Sequence, residues 1–297
     1  MENLNKDMLF MLAVKLDFES LLKFCMSNKR INKKINDDFY LIKLNEDFPD
    51  FRFLSLNKTP KEIYCLLYQL TVFRFKLSLD STIYEIFNFT EIQLMQHCNN
   101  IPKEIGQLSN LQKLYLNSLK IAKFPKTIVQ LFNLEILYMK DNLLTQIPKE
   151  IYQLKKLQKL YLDHNILIEI SIEIEKLTNL QILCIDYNRL TKIPKEMGQL
   201  QNLQILDLSY NLLIDIPKEI YKLQNLQKLF LDNNHLTEIS KKVKQLQNLI
   251  YLHLNCNLLK DLPKEIGQLS NLRILCLDTY KLIIPKEITN NKMIRII

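Results

Sequence analysis

The residues with the clearest chemical potential are His253 and Cys276, 23 positions apart, with Asp278 two further on. Imidazole, thiol and carboxylate are the parts of a nucleophilic relay, provided that the ring can take the thiol proton and the acid can orient the ring. A second set is acidic: Asp141, Asp163, Asp186, Asp207 and Asp232 recur at nearly even intervals. Such carboxylates can hold a cation where a loop turns them toward one point. A third set is aromatic: Tyr115, Tyr138 and Tyr161 at a strict interval, then Tyr187, Tyr210 and Phe230. With only 3 glycines in the chain, no glycine-rich cradle for phosphate can be assembled.

Whether these residues meet depends on the elements that carry them, and the interval identifies those elements. Prolines stand at Pro102, Pro125, Pro148, Pro194, Pro217 and Pro263, separated by 23 residues or multiples of it. Ser171 and Ser240 fill the skipped positions, and Pro285 comes one residue early. Between them the apolar residues follow LxxLxLxxNxL, as in Leu134, Leu137, Met139, Asn142 and Leu144, or Leu203, Leu206, Leu208, Asn211 and Leu213. The alternation in LxL predicts a short strand whose leucines point inward and whose middle residue points out. The asparagine falls where the chain turns. Buried there, Asn142, Asn165, Asn188, Asn211, Asn234 and Asn257 can bond the loop backbone as a ladder. Proline then opens the return segment as a first helical residue, and residues such as Ile151, Leu154 and Leu157 close the coil.

Parallel strands stack about 4.8 Å apart, so a constant interval becomes a column of side chains. Between the strand leucines stand Tyr115, Tyr138, Tyr161, Cys184, Asp207, Phe230, His253 and Cys276, and just past them Lys140, Asp163, Asp186 and Asp232. One position on are His164, Tyr187 and Tyr210. The expected binding face is therefore Tyr115, Tyr138, Tyr161, Asp163, Asp186, Tyr187, Asp207, Tyr210, Phe230, Asp232 and His253. Aromatic side chains offer contact area at small entropic cost, and carboxylates select a basic protein partner. The chain as a whole carries +8, but its lysines after the prolines alternate with glutamates, as on a solvated outer face. Nucleic acid is not expected on a face whose aspartates repel phosphates. Nothing in the pattern supplies an oxyanion site to the His253–Cys276 pair, and the aspartates have strand rather than metal-loop spacing. We therefore expect no catalytic, cofactor-binding or metal-binding residue.

Residues 89–297 resemble the 23-residue leucine-rich repeats of intracellular Ras-group, leptospiral and giant-virus proteins. The resemblance implies an α/β solenoid, a right-handed superhelix with a parallel β concave face. Residues 1–45 have helical periodicity instead: Leu9, Leu12 or Ala13 and Leu16, then Leu21, Leu22, Phe24 and Cys25, with Asp17 and Ser20 as caps. Leu4, Asn5, Lys6 and Asp7, then Leu16 and Asp17, then Arg30 and Ile31 resemble an F-box. That implies a small helical domain that docks a Skp-type adaptor through Leu4, Leu9, Leu21 and Leu22; the simpler reading is a cap over the first coil. In the connecting region, 46–88, Thr59 to Phe75 reads as a degenerate repeat. Further on, Phe89, Ile92 and Leu94 imitate a strand, with His97 in the asparagine position. The last residues, "NKMIRII", are expected to fray.

The 6 cysteines show no CxxC spacing, and there is no apolar run of membrane-spanning length and no charged-then-apolar leader. These features suit a reduced, cytoplasmic setting, with no membrane partner. The Asn, Lys and Ile content and the pairing of F-box-like and repeat segments resemble giant-virus proteins, which would place the chain in a host cytoplasm. The expectation is a non-enzymatic, protein-binding subunit of a Skp/cullin/F-box ubiquitin ligase, monomeric outside its complex, with its target on the concave face. The alternative is an intracellular signalling scaffold with a helical cap.

Overall fold

The computed structural model describes residues 37–48, 59–94, 101–122, 124–278 and 282–297. Leu4, Leu9, Leu21, Leu22, Arg30 and Ile31, the basis of the F-box resemblance, lie outside these, as do His97 and Tyr280. The chain forms two compact units, Met1–Asn88 and Phe89–Ile297.

The described part of the first unit is helical: α1 Asp37–Asp47, α2 Pro60–Lys76 and α3 Ile83–Phe87. Here the reading of Thr59 to Phe75 as a degenerate repeat is corrected. Thr59 and Glu62 form a capping box, with Pro60 starting the helix, so the phrase that elsewhere opens a coil here nucleates α2. The buried residues Ile63, Leu66, Leu67, Leu70 and Phe73 then follow helical rather than strand spacing. Tyr64 anchors α1 to α2 through a tilted ring contact with Tyr40, an edge contact with Phe48 and a hydrogen bond donated to Asp47.

The second unit is one sheet of ten parallel strands in sequence order. They are β1 Glu91–Gln93, β2 Lys113–Tyr115, β3 Ile136–Tyr138, β4 Lys159–Tyr161, β5 Ile182–Cys184, β6 Ile205–Asp207, β7 Lys228–Phe230, β8 Tyr251–His253, β9 Ile274–Cys276 and β10 Arg295–Ile296. Each is short because only LxL alternates. The middle leucines, Leu114 through Leu275, are buried. Register is constant: Leu137 pairs with Leu160, Leu160 with Leu183, and so on. Against the expected fraying, Arg295 and Ile296 pair with Ile274 and Leu275, and Ile294 is buried.

The opposite side of the coils is a single 3-10 turn, such as Lys195–Gln199 or Lys218–Lys222, replaced in the last coil by a short α-helix, Lys286–Thr289. Proline does not occupy the first helical position but the one before it, with extended ψ, where its carbonyl accepts the first turn bond, as Pro194 O does from Met197 N–H. Where serine replaces proline, its hydroxyl caps the turn: Ser171 accepts from Glu173 N–H and Ser240 from Lys242 N–H. Serine also brings back an N–H that proline lacks. In both places the preceding coil carries a buried tyrosine, Tyr152 or Tyr221, near the backbone of that serine. Before Pro125 and Pro217 the same position holds Gly106 and Gly198, and a Cβ on Gly198 would come within 2.6 Å of Glu219 O.

The asparagine ladder forms as the spacing predicts. Asn188 is typical: Oδ1 accepts from Leu167 N–H at 2.9 Å, and Nδ2 donates to Leu162, Ile185 and Asp186 carbonyls. Asn142, Asn165, Asn211 and Asn234 repeat the pattern and are buried, whereas Asn257 at the far end is only half-buried. A second ladder, not anticipated, lies before the strands. Asn133, Asn179, Asn202, Asn225, Asn248 and Asn271 each donate to a carbonyl of the preceding coil, at 2.7–2.9 Å.

Candidate functional site

The strand register places the predicted residues in three neighbouring columns, and each column builds a different environment. In the strand column, Tyr115, Tyr138 and Tyr161 form a continuous stack, with ring centroids 4.7 and 4.5 Å apart and planes within 5°. The spacing is that of the strands, so the sheet itself sets the rings at stacking distance. Phe230 and His253 meet edge to face farther along, 4.7 Å apart.

Tyr187 and Tyr210 belong to another column, at the turn just after the strands. Every described turn there uses a left-handed residue, including Asp141, His164, Tyr187, Tyr210, Asn233 and Cys256, with φ from 52° to 53°. Asparagine and aspartate tolerate this conformation; tyrosine does so at a cost of order 1 kcal/mol. The cost is offset by a second stack: His164 on Tyr187 at 4.2 Å and Tyr187 on Tyr210 at 4.0 Å. The predicted face is thus two aromatic stacks rather than one patch, and His164 belongs to it although the residue set above omits it. Its place in the column was the available signal.

The acidic groups lie between the stacks. Asp163 is 5% exposed, and Lys140 Nζ holds its Oδ2 at 2.9 Å while lying 5.2 Å from the Tyr161 ring centre. Burial pulls the Lys140 ammonium down, but the hydrogen bond and charge of Asp163 outweigh it and leave the pKa raised. Asp186 is pushed up to about 6, first by burial and then by the charges of Asp207 and Asp163. Asp207 and Asp232 are also raised, chiefly by burial. Clustered carboxylates that repel one another oppose folding at neutral pH, which is how binding sites often differ from the rest of a fold.

The carboxylate at the imidazole is not the one expected from the sequence. His253 Nδ1 lies 3.3 Å from Asp232 Oδ2, while Asp278 accepts from the Cys256 N–H instead of orienting the imidazole. Cys276 is buried, and its thiol is raised by burial and then by Asp232, which disfavours the thiolate a nucleophile needs. Among the described residues no group of His, Cys, Asp and Glu is placed to hold a metal ion. Cys65, Cys184, Cys256 and Cys276 are free thiols. No described helix is long and apolar enough to cross a membrane.

Comparison with known proteins agrees with the coil geometry. A leucine-rich repeat region model matches residues 81–189, and a second leucine-rich repeat model matches 178–236 and 224–279. No curated protein matches the chain. Among solved structures, a leucine-rich repeat protein of Leptospira interrogans is 37% identical with a TM-score of 0.66, over 74% of this chain and 62% of that one. The leucine-rich repeat ectodomain of the Arabidopsis thaliana receptor kinase GASSHO1/SCHENGEN3, solved with CASPARIAN STRIP INTEGRITY FACTOR 2, is 30% identical with a TM-score of 0.60, over 67% of this chain and 25% of that one. Internalin C2 of Listeria monocytogenes shares the fold at 24% identity and a TM-score of 0.60, over 71% of this chain and 92% of that one. This chain thus spans less than two thirds of the first two proteins. With the repeat models covering the coils and the register running through all ten strands, the solenoid belongs to the leucine-rich repeat family.

Proposed function

We propose that the chain is a non-enzymatic recognition subunit that holds a protein or peptide on the face carrying the two aromatic stacks. The observation that carries this reading is the concentration of Tyr115, Tyr138, Tyr161, Tyr187 and Tyr210 around ionised carboxylates that cost the fold stability. Similar solenoids bind polypeptides: the GASSHO1/SCHENGEN3 ectodomain was solved with CASPARIAN STRIP INTEGRITY FACTOR 2, and RGFR1, 28% identical, is a plant peptide hormone receptor solved with RGF2. Replacing Tyr138 and Tyr161 by alanine should release the bound protein. Lys195→Glu with Lys218→Glu, on the exposed outer turns, should not. Equal loss from both pairs would overturn the reading.

The finer form of the proposal is a substrate receptor of a Skp/cullin/F-box ubiquitin ligase, acting in a host cytoplasm. Its support is the resemblance of Leu4 to Asp7, Leu16 with Asp17 and Arg30 with Ile31 to an F-box. Leu4, Leu9, Leu21 and Leu22 would face or support the adaptor, and the solenoid would present the target. Co-purification of the full chain with a Skp-type adaptor tests this form. A folded chain that forms no complex at micromolar protein would leave a signalling scaffold with a helical cap.

A further inference from the structure

The strand column contains a break that the stacks make visible. Rings repeat from Tyr115 through Tyr138 to Tyr161, and the next strand then places Cys184 where a fourth ring would stand. One strand further the column holds Asp207. The position over Cys184 is therefore a slot one strand wide, with a tyrosine ring on one side and a carboxylate on the other. A planar group seated there would lie about 4.8 Å from each wall, close to the pitch at which the rings already stack. The slot is open, since Cys184 is only half-buried.

Its charge is defined as clearly as its shape. The charged groups near the Cys184 thiol are Asp207, Asp163, Asp186 and Lys140, so three carboxylates face one resident cation. Lys140 satisfies only Oδ2 of Asp163. The other oxygen, on a side chain that is almost wholly buried, has no hydrogen-bond partner. An acidic cluster alone would be no more than a solvated surface. A buried carboxylate oxygen left unpaired next to a ring-bordered gap is the mark of a site that lacks a donor.

We propose that this slot binds the guanidinium of an arginine side chain on the partner, stacked on Tyr161 with the Asp207 carboxylate as the opposite, charge-compensating wall, and donating in its plane to Asp186 and to the unpaired Oδ1 of Asp163. The inference rests on the reading of this face as the binding face and names the chemistry it selects. Guanidinium is flat, permanently charged and carries donors in a fork that matches carboxylates; an ammonium group has the charge without the plane. An aromatic partner residue would fit the stack but leave the carboxylates unpaired.

The test uses the full chain and three acetylated pentapeptides, four glycines around a central arginine, lysine or citrulline, with affinity read by ligand-observed NMR. Citrulline keeps the plane and loses the charge. The arginine peptide should bind at least ~5-fold tighter than lysine and ~10-fold tighter than citrulline. Asp207→Asn, which keeps the oxygen that caps Ser209 N–H, should weaken arginine by about tenfold. Cys184→Tyr, which continues a column already built of tyrosines, should abolish binding while the chain stays folded. Tyr161→Leu should erase the preference for arginine over lysine. Equal affinity for arginine and lysine, or arginine binding unchanged by Cys184→Tyr, overturns the proposal. No binding tighter than about 10 mM by any peptide sinks the arginine inference alone and leaves the face in place. Arginine binding that responds to outer-turn changes, Glu196→Gln with Glu219→Gln, but not to Asp207→Asn sinks both.

Discussion

Asn188→Ala isolates what one rung of the asparagine ladder contributes. In the folded chain the Asn188 amide makes four hydrogen bonds at 2.9–3.1 Å. They are not equivalent. Leu162 O also accepts from Asn165, Ile185 O from Asn211, and Asp186 O from His164 N–H, so these carbonyls keep a partner when Asn188 is lost. Leu167 N–H has only Asn188 Oδ1 and would be orphaned beneath buried Leu167. An unpaired buried donor costs about 1–3 kcal/mol, and weakening three shared acceptors adds about 1 more, giving about 3 kcal/mol. The same substitution at Asn179 removes one exposed bond to Lys155 O and should cost less than about 1 kcal/mol. For a unit of this size the Asn188 loss corresponds to about 6–12 °C in Tm. Melting of the two variants, followed by circular dichroism, provides the comparison. A loss at Asn188 no greater than at Asn179 would refute the idea that the buried ladder, rather than the leucine core alone, locks the coils together.

Asp186→Asn should stabilise the chain at neutral pH. The folded pKa of Asp186, about 6, lies above the usual carboxylate value, so ionisation opposes folding; the penalty is full above pH 6 and vanishes once pH falls below about 4. Solvent screening at this half-exposed group holds the gain to about 1 kcal/mol at pH 7.5, falling to nothing at pH 4, and urea midpoints at both pH values would show it. Gly198→Ala should cost about 1–3 kcal/mol, because the new methyl would meet Glu219 O at 2.6 Å; a melting temperature equal to that of the parent chain would show that the coils give way easily. Iodoacetamide at pH 7.5, followed by peptide mass spectrometry, should modify exposed Cys256 at least ~10-fold faster than Cys184, whose thiol is pushed up to about 12, or buried Cys276. Preferential modification of Cys276 would revive the nucleophilic relay.

The coil was legible because its determinants are local and repeated. Leu137, Met139 and Asn142 specify strand, interior and turn within six residues, and each neighbouring coil repeats them in register. Thr59 to Phe75 misled for the same reason: its "TPKEI" opening matches the repeats, but the threonine adds a reciprocal cap with Glu62 that selects a helix. The proposed binding face was legible as columns and not as contacts. Equal spacing placed Tyr115, Tyr138 and Tyr161 side by side. That Tyr187 and Tyr210 turn aside onto His164 depends on left-handed backbone at each turn, which the near absence of glycine disguised. The second asparagine ladder passed unnoticed because Asn179 and its equivalents lie outside the apolar pattern, although they recur as regularly as the first.

Hydrogen–deuterium exchange on the full chain, alone and bound to the protein it retains, measures the central claim most directly. Residues Tyr138 through His253 on the stacked and acidic columns should gain protection, with the 3-10 turns from Lys195 to Lys222 unchanged. Protection confined to those outer turns would contradict the account.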